Sequence, residues 1–353
     1  MQVLENIPLA PLTTLRIGGP ARFFAEARNI AEVQQAVTFA ASRDLPLFIL
    51  GGGSNLVVAD AGWPGLVLKV GVDGIEQSTG HDHDESGKVI FDVGAGESWD
   101  KFVSRSVMAR CAGVECLSGI PGSVGGTPVQ NVGAYGQDVS ETIVSVQVLD
   151  LKDGQIRELC KEACGFSYRS SIFNTTETGR FIILRVSYAL TPEGKPRIDY
   201  ADLKRHFAGR ETTPDLAETR EAVRHIRALK GMLIVPGDAD CMSAGSFFKN
   251  PVLSEPQHED LKRRAGARGL TVPSYPALVT HKKISAAWLV EHSGFTKGYG
   301  IGRAGISSKH ALAIVNRGGA TAAEVLALKE QIRYRVQEIW GLHLEPEPVM
   351  VGF

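Results

Sequence analysis

The sequence has no surplus of charge of either sign. Over 353 residues its 38 lysines and arginines face 39 aspartates and glutamates. No basic excess is available to neutralise the phosphates of a nucleic acid, and no polybasic run to hold a membrane surface. Long apolar runs are missing as well: nowhere do eighteen or more apolar residues follow one another, the length a membrane-spanning helix needs. The start, MQVLENIPLAPLTTLRIGG, lacks the charged-then-apolar order of an export signal. A soluble, cytoplasmic chain that binds neither nucleic acid nor membrane is expected. Cysteine is sparse, and Cys111, Cys116, Cys160, Cys164 and Cys241 form no CxxC pair and no metal-spaced cluster. Their odd number argues against a disulfide framework. Cys160 and Cys164 are read as packing residues. His81 and His83 in HDHDE have no further ligands nearby, so they are read as a solvated loop and no metal site is expected.

What is plentiful is glycine, 39 residues of it, and it falls between short apolar runs. Single cores stop growing at roughly 250–300 residues, so two or three domains are expected. Val33, Ala36, Val37 and Ala40 recur at helical spacing and predict a helix over 30–43. LPLFILGGGSNLVVAD holds two apolar runs around three glycines, the pattern of strand, tight turn, strand, and LVLKV at 66–70 adds another strand. Residues 1–70 are thus a small α+β unit. The polar stretch GHDHDESGK separates LVLKV from a strand at 89–96, a helix is expected over 99–112, and strands at 145–150 and 181–190 flank a loop-rich centre. Residues 71–215 form a second α+β domain on this reading. From 216 to 344 the pattern changes to charged amphipathic helices, at 218–231, 255–268, 284–293 and 321–340, around the strand HALAIVN. The last residues, 345–353, carry two prolines and alternate apolar positions, and should lie extended along another domain. The fold class is α+β in three domains.

Three segments carry chemical potential because glycine lets a ligand approach the main chain, so that successive N–H groups can cradle a diphosphate. They are TLRIGGPARF at 14–23, GGGSN at 51–55, and GIPGSVGGTPVQNVGAYG at 119–136, which holds six glycines and two prolines in eighteen residues. A loop that long inside a compact domain is uncommon unless functional. Together they point to a large phosphate-bearing cofactor held mostly by backbone. The GxGxxG match at Gly300, Gly302 and Gly305 has a helix before it and a strand after it, the reverse of a dinucleotide fingerprint. It is therefore not read as a nucleotide site, and no GxxxxGK[ST] run occurs.

Ser246 lies in SAGSFFKNP with Ala244 and Phe248 where a hydrolase elbow requires glycines. A nucleophile is excluded on that ground, leaving a hydroxyl that caps a turn or a proton source beside an anion held by Lys249 and Asn250. Arg169 in GFSYRSSIF is either a surface residue with a packed stem or a bidentate grip on a carboxylate. Glu345 and Glu347 are ordinary acids unless the fold brings one to the other candidates.

TTLRIGGPA, LGGGSNLVV, GIPGSVGGTPVQNVGAYG, FSYRSSIF, SAGSFFKNPV, AAWLVEHSGF and LEPEPV occur in that order along nearly the whole chain, which resembles the UDP-N-acetylenolpyruvoylglucosamine reductase family. YADL at 200–203 and the long middle region resemble its longer type, in which a tyrosine loop covers the substrate. The resemblance implies the FAD-binding fold of the vanillyl-alcohol oxidase (PCMH-type) superfamily, with non-covalent FAD between the first two domains and the UDP-sugar under the third. It also implies NADPH as hydride donor, hydride transfer from FAD to the enolpyruvyl methylene carbon, and a monomer. Carried over onto this chain, the implied FAD contacts are Arg16, Ile17 and Gly18 in the first segment, then Gly51, Gly52, Gly53, Ser54 and Asn55 in the second. In the third they are Ile120, Pro121, Gly122, Gly125, Gly126, Gln130, Asn131, Gly133 and Ala134.

Arg169 and Glu347 are implied to stabilise the enolate-like charge, with Ser246 protonating the carbon. Tyr168, Tyr200, Lys230, Lys249, Asn250 and His292 are implied to hold the substrate. His292 stands where many members carry glutamine, and Pro348 where many carry valine. Two other readings remain at this point: an oxidase or dehydrogenase of the same superfamily, which would lack the serine, lysine and asparagine cluster, and a sugar-nucleotide binding protein without chemistry.

Overall fold

Asn29 opens the first helix by accepting the Glu32 N–H on Oδ1 at 2.9 Å, and Val33, Ala36 and Ala40 behind it are buried. This is helix α1, Ile30–Ala41, in the computed structural model of the chain, which describes residues 1–78, 87–277, 280–300 and 302–353. His81 and His83 lie outside the described residues. The chain forms two compact units, one of residues 1–7, 21–53 and 63–229, the other of 8–20, 54–62 and 230–353. Residues 71–215 all fall in the first unit, and 230–344 all in the second.

In the larger unit the strands Val3–Pro8, Pro20–Ala27, Trp63–Val70 and Leu47–Leu50 lie side by side in that order. Trp63–Val70 is parallel to both neighbours, and Leu66, Val67 and Leu68 are fully buried, as strands covered on both faces are. A second, antiparallel sheet runs Ile156–Cys160, Ile143–Asp150, Phe181–Pro192, Val89–Gly94, Ile75–Gln77. Helix α2, Trp99–Met108, lays Trp99 and Phe102 on it, where they meet Phe91 and Tyr188 at centroid distances of 4.9–5.8 Å. The helix expected to reach 112 stops at Met108. Arg110 takes φ +56°, and Cys111–Ala112 turns off to pair with Thr191–Pro192. Cys164 is buried as expected, whereas Cys160 ends an edge strand and is exposed, so it is not a packing residue. Helices α3, Ala201–His206, and α4, Leu216–Leu229, complete this unit.

The smaller unit is built on three further helices, each with a side-chain cap at its start. Helix α5, Glu255–Gly266, has a Ser254–Gln257 capping box. Ser285 accepts the Trp288 N–H at the start of α6, Ala286–Glu291. Thr321 and Glu324 cap α7, Ala322–Trp340, which ends on left-handed Gly341. α6 is shorter than the expected 284–293 because His281–Ile284 is a strand between Val252–Ser254 and Ser274–Pro276. Leu15, Ile17 and Val57 join Phe247, Phe248, Ile284, Leu289, Ile314 and Trp340 in the core. Asp60 accepts the N–H groups of Ala322 and Ala323 at 2.8 and 3.1 Å, a carboxylate on the positive end of α7. The end of the chain, Val349–Val351, pairs in parallel with Leu56–Val58. The glycines of GYGIGRAG make room for a side chain: a Cβ on Gly305 would lie 2.6 Å from Arg317 Nε. Arg317 there donates to the carbonyls of Gly298 and Tyr299 at 2.7 and 3.0 Å.

Asp100, in the first turn of α2, ties three segments of the larger unit together. Its carboxylate accepts Arg220 (2.7 and 3.0 Å) and Arg224 (2.8 Å) from α4, and the Gly119 N–H (2.6 Å) that opens the glycine-rich loop. Burial pushes its pKa up, but the Arg220 pair, the Gly119 N–H and Arg224 outweigh burial and hold it below the ordinary carboxylate value. A carboxyl depressed on folding adds stability that is whole above the unfolded pKa of about 4 and is lost as pH falls through the folded value. The melting temperature should therefore drop more steeply below about pH 4 for the native chain than for Asp100→Asn; parallel curves would show that Asp100 is not part of the acid response.

Candidate active site

In the larger unit the two glycine-rich turns meet without side chains between them. A Cβ on Gly52 would sit 2.6 Å from the carbonyl carbon of Gly122 and 2.7 Å from the Ser123 nitrogen, and one on Gly51 would sit 2.8 Å from Ser123 Oγ. Gly53, buried, takes φ +65°, a turn only glycine makes without strain. Three backbone bonds fix the facing loop: Trp99 N to Gly122 O, Val124 N to Glu97 O and Gly125 N to Ala95 O, at 3.1, 2.9 and 2.9 Å. Farther along, Thr127 Oγ1 donates to Val124 O, so its 2.8 Å contact with Tyr188 is a bond the phenol donates. Ile120, Pro121, Gly122, Gly125, Gln130 and Ala134 are half-buried along this loop, Asn131 and Gly133 are buried, and Gly126 is exposed.

Ser123 was not singled out from the sequence. Its Oγ is buried with no hydrogen-bond partner among the described residues. A buried hydroxyl left unsatisfied costs about 1–3 kcal/mol, and this one lies in the cradle where Gly51 leaves room. The PGSVGG spacing, a serine between glycines of a phosphate-type loop, was the available signal. A phosphate oxygen is a group that such a donor beside backbone bare of side chains fits, so the residues present fit an FAD diphosphate.

Arg169 rides on a tight turn in which Ser167 and Ser170 exchange backbone hydrogen bonds at 2.9 and 3.2 Å. Its own φ is +53°, which costs a non-glycine residue roughly 1–2 kcal/mol. The conformation is held from outside. Asn174 Nδ2 donates to its carbonyl at 3.2 Å, Asn131 Nδ2 donates to Ser167 O at 3.0 Å, and Ser171 Oγ donates to Val129 O at 2.6 Å. Its guanidinium, mostly buried, donates to Gly133 O at 2.5 Å and Asn131 O at 3.4 Å. Thus the fold joins Arg169 to the loop bearing Asn131 and Gly133, and Tyr168 beside it is exposed. Tyr200 packs edge-on against Tyr135 at 5.4 Å.

In the smaller unit the chain end zips along the Ser246 segment. Glu347 N donates to Phe247 O, and Lys249 N donates to Glu345 O, both at 2.9 Å. Phe248 faces Pro346 between them. Ser246 and Glu347 are thereby one register step apart, both half-buried. Asn55 grips the same strand: its Nδ2 donates to Glu347 O at 3.2 Å and its carbonyl accepts Val349 N at 2.9 Å. Thr14 Oγ1 donates to Ser243 O at 2.6 Å and to Ser54 O at 3.3 Å, which draws all three segments together.

Arg16 takes φ +57°, and its carbonyl and that of Leu15 both accept Asn316 Nδ2 at 3.1 Å. Ile17 is buried, and Gly18 at φ +117° abuts Val58. Lys249 Nζ lies 3.4 Å from the exposed Glu345 carboxylate, Lys230 follows the last residue of α4, and Asn250 Oδ1 accepts the Ala286 N–H that begins α6 at 2.9 Å. His292 stacks on Trp288 at 4.4 Å and its Nδ1 bonds Trp288 O at 2.8 Å, so it is part of the packing at the end of α6.

Residues 21–159 match the FAD binding domain family, and residues 237–351 match UDP-N-acetylenolpyruvoylglucosamine reductase, C-terminal domain. The chain is 45% identical over 353 residues to the UDP-N-acetylenolpyruvoylglucosamine reductase of Thermobifida fusca, covering 99% of this chain and 98% of that one. It is 44% identical to the Streptomyces coelicolor protein of the same name, with 100% and 91% covered. The crystal structure of the Thermus caldophilus reductase superposes with a TM-score of 0.65 at 28% identity over 99% of each chain.

Gly52→Ala should separate cofactor binding from folding, since its Cβ meets backbone that cannot swing away. The expected result is protein with unchanged far-ultraviolet circular dichroism but about ten-fold or more weaker FAD retention, from a clash of roughly 1–3 kcal/mol. Full flavin content by absorbance would show that this turn is not part of the cradle.

Proposed function

The chain belongs to the UDP-N-acetylenolpyruvoylglucosamine reductase family, and from that premise we propose that Arg169, Ser246 and Glu347 carry its chemistry. It is an FAD-dependent oxidoreductase that uses NADPH to reduce the enolpyruvyl double bond of the UDP-sugar, giving UDP-N-acetylmuramate for peptidoglycan. When bound, FAD supplies the hydride to the methylene carbon. Negative charge then builds on the neighbouring carbon and its carboxylate, and the protein groups must be in place before it does.

Arg169 suits that task because its backbone is locked by the Ser167–Ser170 turn and its guanidinium, held on the Gly133 and Asn131 carbonyls with the Asp138 carboxylate at 3.9 Å, is a positive charge set in place beforehand. Glu347 can help a developing negative charge only as the neutral acid, by donating a hydrogen bond. Ser246 delivers the proton to the carbon; a hydroxyl is a weak acid, but a carbanion-like centre is a strong base, so placement matters more than acidity. The observation that carries this reading is the Phe247–Glu347 backbone bond, which sets the acid and the serine in adjacent register.

Lys230 and Lys249 are assigned to the diphosphate. The pair of Lys249 with Glu345 is a surface one, worth about 0–1 kcal/mol, so a diphosphate can displace the carboxylate. Tyr168, Tyr200 and the Nδ2 of Asn250 complete the substrate contacts, and His292 could add only its Nε2. Residues 1–70 and 71–215 are assigned to FAD and 216–344 to the UDP-sugar, with 345–353 returning to the first region. The chain is proposed to act as a cytoplasmic monomer; among the described residues no helix is long and apolar enough to cross a membrane.

Ser246→Ala should leave the bleaching of the flavin by NADPH nearly unchanged and slow the return of colour on adding the enolpyruvyl nucleotide by orders of magnitude. Equal loss in the two half-reactions would remove Ser246 from the role of proton donor. Sedimentation should give a single species of 37.9 kDa, and a dimer mass would overturn the monomer.

A further inference from the structure

Glu115 is a carboxylate only 1% exposed, with three N–H donors around it. Its Oε1 accepts Gln137 Nε2 at 2.8 Å and the Arg197 N–H at 2.9 Å, and Oε2 accepts the Gly113 N–H at 2.8 Å. Gln137 is oriented in turn by accepting the Cys116 N–H on Oε1 at 2.8 Å. The Cys116 thiol, kept protonated by burial, donates to the Arg197 carbonyl at 3.0 Å. Arg197 is thus gripped at both backbone groups. Its side chain goes the other way: Nη1 donates to Gly136 O at 2.7 Å and pairs with Glu141 at 2.8 Å.

Three residues after this anchor comes Tyr200, and immediately beyond it Leu203 is fully buried with Tyr135, Ala222 and Val223. The tyrosine itself is 45% exposed, its ring resting edge-on against Tyr135, which is 8% exposed and precedes Gly136 in the glycine-rich loop. A large aromatic fixed on both sides yet left at the surface adds little to the core. The strength of its fixing has another use.

We propose that Arg197 is a positioning residue: by joining the Gly136 carbonyl to the segment before Tyr200, it ties the substrate-covering tyrosine to the cofactor loop and holds it preset for the UDP-sugar. This rests on the assignment of Tyr200 to the substrate. Ordering that segment in advance removes an entropy cost that would otherwise fall on substrate binding. The guanidinium does no chemistry, so its loss should weaken nucleotide binding and leave turnover near its native value.

Arg197→Met keeps the stem and the two backbone anchors while removing the link to Gly136 and Glu141. In the holoenzyme, FAD content and the rate of flavin bleaching by NADPH should match the native protein. KM for the enolpyruvyl nucleotide and Kd for UDP-N-acetylmuramate, measured by calorimetry, should both rise about ten-fold, the scale of ordering one or two side chains on binding, with kcat within about two-fold. Arg197→Lys, which can still donate to Gly136, should recover most of the affinity. Glu141→Ala, at the surface, loosens the same clamp and should raise Kd in the same direction, which keeps the question answerable if Arg197→Met does not fold. Adding Arg197→Met to Tyr200→Ala should weaken binding no further.

If Tyr200→Ala binds the nucleotide as the native chain does, Tyr200 is not a substrate contact and both readings fall. If Tyr200→Ala is weak but the Arg197 and Glu141 variants bind normally, or if the Arg197 and Tyr200 losses simply add, the positioning role alone is overturned. A fall in melting temperature and FAD content without a selective loss of nucleotide binding would make Arg197 a plain stability residue.

Discussion

Gly52 and Gly122 meet backbone to backbone, and much of the larger unit serves to keep that approach open. Trp99, fully buried, spends its amide on Gly122 O and its indole N–H on Leu117 O. Tyr188, rooted in the antiparallel sheet, reaches Thr127 in the same loop. Asp100 takes the first N–H of the loop together with two arginines of α4. Ordering an irregular segment costs about 1–2 kcal/mol per residue in backbone freedom, and a loop of this length offsets that only if it is pinned at many points. Each pin also satisfies a buried polar group that would otherwise be a liability. The exception is Ser123 Oγ, which finds no partner among the described residues. It lies where the cradle opens.

Backbone strain is found at candidate residues in each unit. Arg16, Asn131, Tyr135 and Arg169 all take positive φ near +50°, a region in which side chains crowd the following carbonyl. Such conformations persist when their surroundings over-determine them. Asn131 has both ends of its amide bonded, to Ser167 O and Ser140 N. Arg169 is held through its carbonyl and its guanidinium. Asn316 clasps the carbonyl of Arg16. At Arg16, Asn131 and Arg169 the strain is met by bonds from chain segments distant in sequence.

The smaller unit solves a different problem, that of fixing a chain end. Val349–Val351 lies parallel to Leu56–Val58, and prolines on both sides of Glu347 narrow its backbone choices. Pro348 is buried in this arrangement and leaves the Phe247, Asn55 and Val349 bonds intact. Asn55, expected to serve the cofactor, is spent in part on the Glu347 carbonyl. Asn250, expected at the substrate, caps α6 with its oxygen. An amide has two chemically different ends, so Asn250 can hold the scaffold with its oxygen and keep its Nδ2 for another partner.

The sequence alone determined what depends on near neighbours. The spacing of Val33, Ala36 and Ala40 was enough for α1, the three glycines after Leu50 for a turn between strands, and the order of helix and strand around GYGIGRAG for rejecting a nucleotide fingerprint. The ordered motifs were enough for the family, because they record its chemistry directly. Tertiary structure decided where α2 ends, since that depends on Cys111–Ala112 finding Thr191–Pro192. It alone revealed Ser123, the bond from Asn55 to the Glu347 carbonyl and the clamp on Arg197. In each case the partner is a backbone carbonyl, an amide or an empty space supplied by a remote segment. Every residue carries the same backbone groups, so no residue type announces which carbonyl a distant donor will meet; only the path of the folded chain settles that.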